Sequence, residues 1–399
     1  MKTTRSHLLL LFSAALIACC VSLEVAATPY TPDDESAVLE RLPLRPGDTA
    51  LAEIRAAQRA LAEQPSDATR ARQLAQLYIR QARLDADPRY LGYAEAVLAP
   101  WWNAPRPPVD ILVTRAIILQ ANHRFDAALA DLADALQRDP ANTQAWLTRA
   151  TIEQAQGDYA SARQSCLALL RDARDIVAYA CLASVASLNG EAERSYAVLR
   201  RVVQDTAGLQ PDLEQWVQGL LAEMAARRGD ATAADAHFRQ AFAAGRADSY
   251  LLASYADFLL DQGRAADVVA LLRQQTRADA LLLRLALAEQ ALNLPTAAEH
   301  IAALRSRFDA SRLRGDVLHR REEARFHLEL LHDPKTALTL AADNWQAQRE
   351  PADARLLLAA ALRAGTPASA QPVREWLART RLEDVQLARL LKDLAAEAL

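Results

Sequence analysis

The chain has 399 residues, 51% of them hydrophobic, which is ample for a large core. A net charge of −4 argues against a general nucleic-acid binder, which gathers basic charge on one face. The basic residues are almost all Arg, with Lys only at Lys2, Lys335 and Lys392, and no stretch past residue 30 is long and apolar enough to span a bilayer.

Residues 1–27 read as a targeting segment. Lys2 and Arg5 give a positive start, Leu8 to Ile17 an apolar core too short to span, and Val25-Ala26-Ala27 small residues for cleavage before Thr28. A second cut stands open. Leu16-Ile17-Ala18-Cys19 resembles a bacterial lipoprotein box and would place a lipid on Cys19, although Cys20-Val21-Ser22-Leu23 is not a polar tether. Either cut sends the chain to a bacterial envelope. The periplasm is favoured, and a lipid at Cys19 is the one membrane attachment considered. Residues 28–48 form an acidic, Pro-containing lead-in with a short helix expected over Glu35–Arg41.

Gly47-Asp48-Thr49 looks like a helix start, with Asp48 or Thr49 as N-cap, and the helix over Ala50–Gln64 ends before Pro65. Ser66-Asp67 caps the next helix, which runs through Ala75, Leu77 and Tyr78, and its partner runs from Pro88 to Leu98 and stops at Pro100. Residues 49–100 thus hold degenerate helix pairs. Trp101-Trp102-Asn103-Ala104-Pro105-Arg106-Pro107-Pro108 interrupts them, because four prolines within 100–108 cannot continue a helix. We read it as a connector, the rival reading being a ligand-facing aromatic patch.

Residues 108–275 are written as a regular array. Trp146 follows Leu112 by 34 residues, Tyr159 follows Phe125 by 34, and Ala162 follows Ala128 by 34. Such a period marks stacked helix pairs. Gly157, Gly190, Gly229 and Gly263 mark the inner turns, where Gly supplies the left-handed conformation that ends a first helix. Asp158, Glu191 and Asp230 follow, where a carboxylate suits a helix start. Ala116, Ala128, Ala150, Ala162, Ala183, Ala222 and Ala256 are expected at the helix crossings, and a spacing of 39 between Gly190 and Gly229 is expected to be absorbed by a longer loop near Asp205–Pro211.

Export would give the cysteines meaning. Outside the signal region only Cys166 and Cys181 remain, an even number in an oxidising space. Cys166 falls on the second helix of one repeat and Cys181 on the first helix of the next. The turn near Asp172–Asp175 lies about midway, so the two face each other. Either they form a disulfide or they are two small buried thiols.

Residues 276–399 hold looser units. One turns at Asn293-Leu294-Pro295, one at Asp333-Pro334 and one at Gly365-Thr366-Pro367, and Glu383–Leu399 reads as a solvent-facing cap helix. No alternating strand pattern interrupts them, so the fold expected is all-α. The pattern Trp146, Ala150, Gly157, Tyr159, Ala162 with the closing Asp139-Pro140 resembles the tetratricopeptide repeat (TPR) family, strongly over 108–275 and weakly on either side. Leu112 and Leu252 depart from it where the family has an aromatic. The resemblance implies a right-handed α-solenoid of antiparallel helix pairs whose first helices line a concave groove. It also implies a non-catalytic scaffold that takes another protein or a peptide, here in the cell envelope, with no cofactor.

Carrying that inward face onto this chain by register nominates Gln120, Thr148, Thr151, Gln154, Ser184 and Ser187, then Trp216, Glu223, Arg227, Tyr250, Ser254, Asp257 and Asp261. Such a face suits an extended peptide held by side-chain hydrogen bonds and a few aromatic anchors. The basic Lys and Asn clamp of the chaperone-tail-binding TPRs is missing from it. His319, Glu323 and His327, spaced by four, carry a weak suggestion of a metal site and an alternative role as a ligand-handling accessory. Three ligands over eight residues span about 12 Å of helix axis, too far for one ion. No phosphate loop, His-Glu-x-x-His or Gly-x-Ser-x-Gly is present, so catalysis is not expected.

Overall fold

A computed structural model describes residues 49–170, 175–315 and 319–397. The targeting segment, Cys19, the lead-in and most of the Asp172–Asp175 turn lie outside these residues. Among the described residues every element is helical, and consecutive helices pack as antiparallel pairs. A leading helix α1 (Thr49–Glu63) is followed by the pairs α2/α3 (Ala68–Asp85, Arg89–Trp102), α4/α5 (Val109–Ala121, Phe125–Arg138), α6/α7 (Thr143–Ala155, Tyr159–Leu167) and α8/α9 (Ile176–Ser187, Ala192–Asp205). Next come α10/α11 (Pro211–Arg227, Ala231–Ala244), α12/α13 (Ser249–Asp261, Ala265–Leu272) and α14/α15 (Asp279–Ala291, Thr296–Leu313). The last elements are α16 (Arg320–Arg325), α17 (Pro334–Ala347), α18 (Pro351–Arg363), α19 (Gln371–Thr380) and α20 (Val385–Glu397). No described helix is long and apolar enough to cross a membrane.

Local chemistry accounts for the boundaries. The side chains of Asp67, Asn142, Asp158, Asp175, Asp230, Asp248 and Asp333 each accept hydrogen bonds from the first-turn backbone N–H groups of the helix they precede. Glu191 makes no such bond, so one of the three carboxylates expected to start a second helix acts by charge alone. Each inner turn holds one residue in the left-handed region: Gly157, Gly190, Gly229, Gly263 and Gly365, with Ala86, His123, Asn293 and His332 at the same place in other repeats. At Gly157, φ is +74°, which glycine adopts without a Cβ penalty. The seven crossing alanines are all buried, which lets paired helices approach closely.

Three expectations are corrected. Helix α3 continues through Pro100 to Trp102. Pro100 lies within the last turn, where it removes a single terminal bond, and Trp101 and Trp102 pack against the cores on either side of the connector. The expected helix carrying His319, Glu323 and His327 is only six residues long before it widens into a π-turn over Phe326–Leu330, which breaks the spacing of four. The terminal helix is not simply solvent-facing, since Leu387 and Leu394 are 2% and 0% exposed.

The array coils back on itself. The Ser249 hydroxyl donates to the Arg83 carbonyl at 2.8 Å and Arg246 pairs with Asp85 at 2.8 Å, so the start of α12 touches the end of α2. One apolar cluster unites Tyr159, Cys166, Cys181 and Val185 of the regular array with Leu357, Trp376 and Leu387 near the C-terminus.

Candidate functional site

First helices of successive repeats lie side by side, so residues at equivalent register meet laterally. The result is a ladder of polar bonds from first helix to first helix. Ser184 (α8) donates to Gln154 (α6) at 2.9 Å, Arg227 (α10) to Ser187 (α8) at 3.0 Å, and Ser254 (α12) to Glu223 (α10) at 3.0 Å. Asp257 (α12) accepts from Arg284 (α14) at 2.6 Å and from Arg325 (α16) at 2.5 Å. Asp261 takes both guanidinium nitrogens of Arg355 (α18) at 2.6 and 2.5 Å, and Asp353 takes Arg321 (α16) at 2.6 and 2.8 Å.

The nominated face is therefore assembled, but its side chains partner one another instead of standing free for a ligand. Thr148 is 3% exposed and accepts from Gln144, Thr151 bonds back to the Leu147 carbonyl, and Trp216 is half-buried against the core. Gln120 is half-buried. Sequence reasoning missed Arg284, Arg321, Arg325, Glu350, Asp353 and Arg355. A signal existed for part of the set: Ser254 lies nine residues before Gly263, and Arg284 nine before Asn293, the left-handed residue of its own repeat.

Tyr250 differs from the rest. It is 67% exposed, yet Glu223 and Glu350 from two other repeats stand close enough to push its hydroxyl well above the usual 10, with burial adding to their effect. Burial would raise the Asp257 carboxyl, but Arg284 and Arg325 outweigh it and hold it well below the usual carboxylate range. Burial pushes the Glu223 carboxyl up, against the pull of Arg227 and the hydroxyls of Tyr250 and Ser254. An acid with a raised folded-state value is best tolerated below its unfolded value, and that advantage is lost as pH rises through the folded one. Glu223→Gln, which keeps an acceptor for both hydroxyls, is accordingly expected to raise Tm at pH 7. The gain should shrink to nothing by pH 4 in thermal melts across that range.

Cys166 and Cys181 are joined by a disulfide with Cα atoms 5.5 Å apart, tying α7 to α8. The three residues with a metal flavour go separate ways: His327 faces Asp333 at 3.4 Å, Glu323 faces Arg312 at 3.4 Å, and His319 precedes α16. Among the described residues no three His, Cys, Asp or Glu are grouped to hold a metal ion.

Residues 119–185 match a tetratricopeptide repeat family. Among solved structures, the chain is similar to the APC/C hetero-tetramer Cut9–Hcn1, at 15% identity over 86% of this chain and 66% of that one, with a TM-score of 0.50. It is also similar to a tetratricopeptide repeat protein from Parabacteroides merdae ATCC 43184, at 17% identity over 64% of this chain and 90% of that one, with a TM-score of 0.37. No curated protein sequence matches. The family match falls on α4–α8, and helix pairs of the same design repeat on both sides, so the fold is a helical solenoid of the tetratricopeptide-repeat type.

Proposed function

We propose that this chain is a non-catalytic scaffold of the bacterial cell envelope that holds a segment of another protein in its concave interior. A tetratricopeptide-repeat fold suggests a protein-interaction scaffold, and stacked repeats of this kind create extended concave surfaces. The envelope assignment rests on the targeting pattern of residues 1–27, with soluble release and lipidation at Cys19 both left open. The observation that carries the binding reading is Tyr250: a 67% exposed aromatic beside a ladder of polar groups that bond one another. A tyrosine there offers a rigid anchor. With Glu223 and Glu350 beside it, the side chain that best complements it is a lysine or arginine of the partner, laid over the ring.

A partner recovered from envelope extract should lose affinity at least tenfold on Tyr250→Ala, about 1.4 kcal/mol or more. Tm should stay within a degree or two, because the ring is exposed. Equal affinity for the variant would remove the interior as the binding surface.

A further inference from the structure

We propose that the C-terminal segment from Arg349 through Val385 is a strap that closes the concave interior against the early repeats and opens to admit the partner. The Arg349 N–H donates to the Ala155 carbonyl at the end of α6, at 2.8 Å. From there the segment follows the inner turns of three consecutive repeats. A Cβ on Gly157 would stand 2.9 Å from Trp376 Nε1 and 3.0 Å from Arg349 Cβ, one on Gly190 3.1 Å from Arg381 Cβ, and one on Gly229 3.1 Å from Val385 Cγ1. The turn glycines thus serve twice, in their own turns and as the track on which the strap lies. Ring contacts finish the seam: Trp376 lies 6.1 Å from Tyr159 and edge-on to Trp345 at 5.3 Å.

The seam is closed at a cost in buried donors. Tyr159 is 3% exposed and Trp376 1%, yet neither the Tyr159 hydroxyl nor the Trp376 indole N–H has a hydrogen-bond partner in the protein, and two guanidinium nitrogens of Arg374, on the same helix as Trp376, share that state. Opening would return all of them to water, which offsets the apolar surface that opening exposes. The turns themselves stay intact, since Asp158 N–H bonds to the Glu153 carbonyl within its own repeat. Two folded surfaces joined by a seam rich in unpaired donors make a two-state element.

The proposal rests on the interior as the binding surface, but its test needs no partner, so either can fail alone. Amide hydrogen exchange on the full chain should show Arg349 and residues 371–385 exchanging at least tenfold faster than α10–α14. Tyr159→Phe keeps the ring and removes the unpaired hydroxyl from a repeat distant in sequence, so it should slow strap exchange about fivefold or more. Gly157→Ala should speed it at least tenfold and leave α10–α14 unchanged. Strap amides exchanging at the rate of α10–α14, or a Tyr159→Phe variant whose strap exchanges as fast as wild type or faster, would overturn the proposal.

Discussion

Replacing Cys166 and Cys181 together by alanine is expected to remove about 3 kcal/mol of stability. The bridge spans 15 residues, and closing a loop of that length in the unfolded chain is worth about 3 kcal/mol in the chain-entropy view. Packing should change little, because both sulfurs sit at fully enclosed positions where a small side chain suffices. The effect should be focused, not uniform. In a solenoid each repeat draws stability from its neighbours, and this link fastens the second helix of one repeat to the first helix of the next. Weakening that interface should split one denaturant transition into two, with residues before α8 melting first. Reductant should lower the wild-type midpoint and leave the double variant where it is. A wild-type midpoint indifferent to reductant would show that no bridge contributes.

The repeats are legible because their signals are local. A 34-residue period, a glycine two residues before the second helix and an alanine at each crossing are decided by contacts within one helix pair, as at Ala150, Gly157 and Ala162. The same register sets Cys166 and Cys181 face to face. What stays hidden depends on curvature. Arg355 reaches Asp261, and Arg349 reaches Ala155, because small rotations accumulate repeat by repeat until distant turns touch. No pattern of neighbours specifies that sum. The interior reads as free donors for the same reason: Gln154 and Ser184 look available in sequence, and only the lateral spacing of first helices shows them bonded to each other. The π-turn at Phe326–Leu330 adds a local shift of register that no spacing in the sequence announces.

Asp353→Ala should be the most damaging single change in the interior, at about 3–5 kcal/mol. Asp353 is 2% exposed and serves four donors: two from Arg321, Asn344 Nδ2 at 2.7 Å and the Glu350 N–H at 2.9 Å. Burial works against the Arg321 charge, yet Asp353 and Glu350 hold its guanidinium well above the usual range, so removing Asp353 leaves a cation that cannot neutralise itself. Glu350 still pairs with Arg321, which keeps the loss near the lower end of the range. Asn344, 6% exposed, loses its partner outright. Asp353→Asn separates charge from hydrogen bonding, because it retains an acceptor for Asn344 and the Glu350 N–H. It should recover roughly half the loss in urea melts. Pairing Asp353→Ala with Arg321→Met removes both charges and should be milder than Asp353→Ala alone, since the cost lies in the stranded partner more than in the missing attraction. A double variant as unstable as the sum of its parts would mean that the two residues act independently, and that the ladder does not join α16 to α18 energetically.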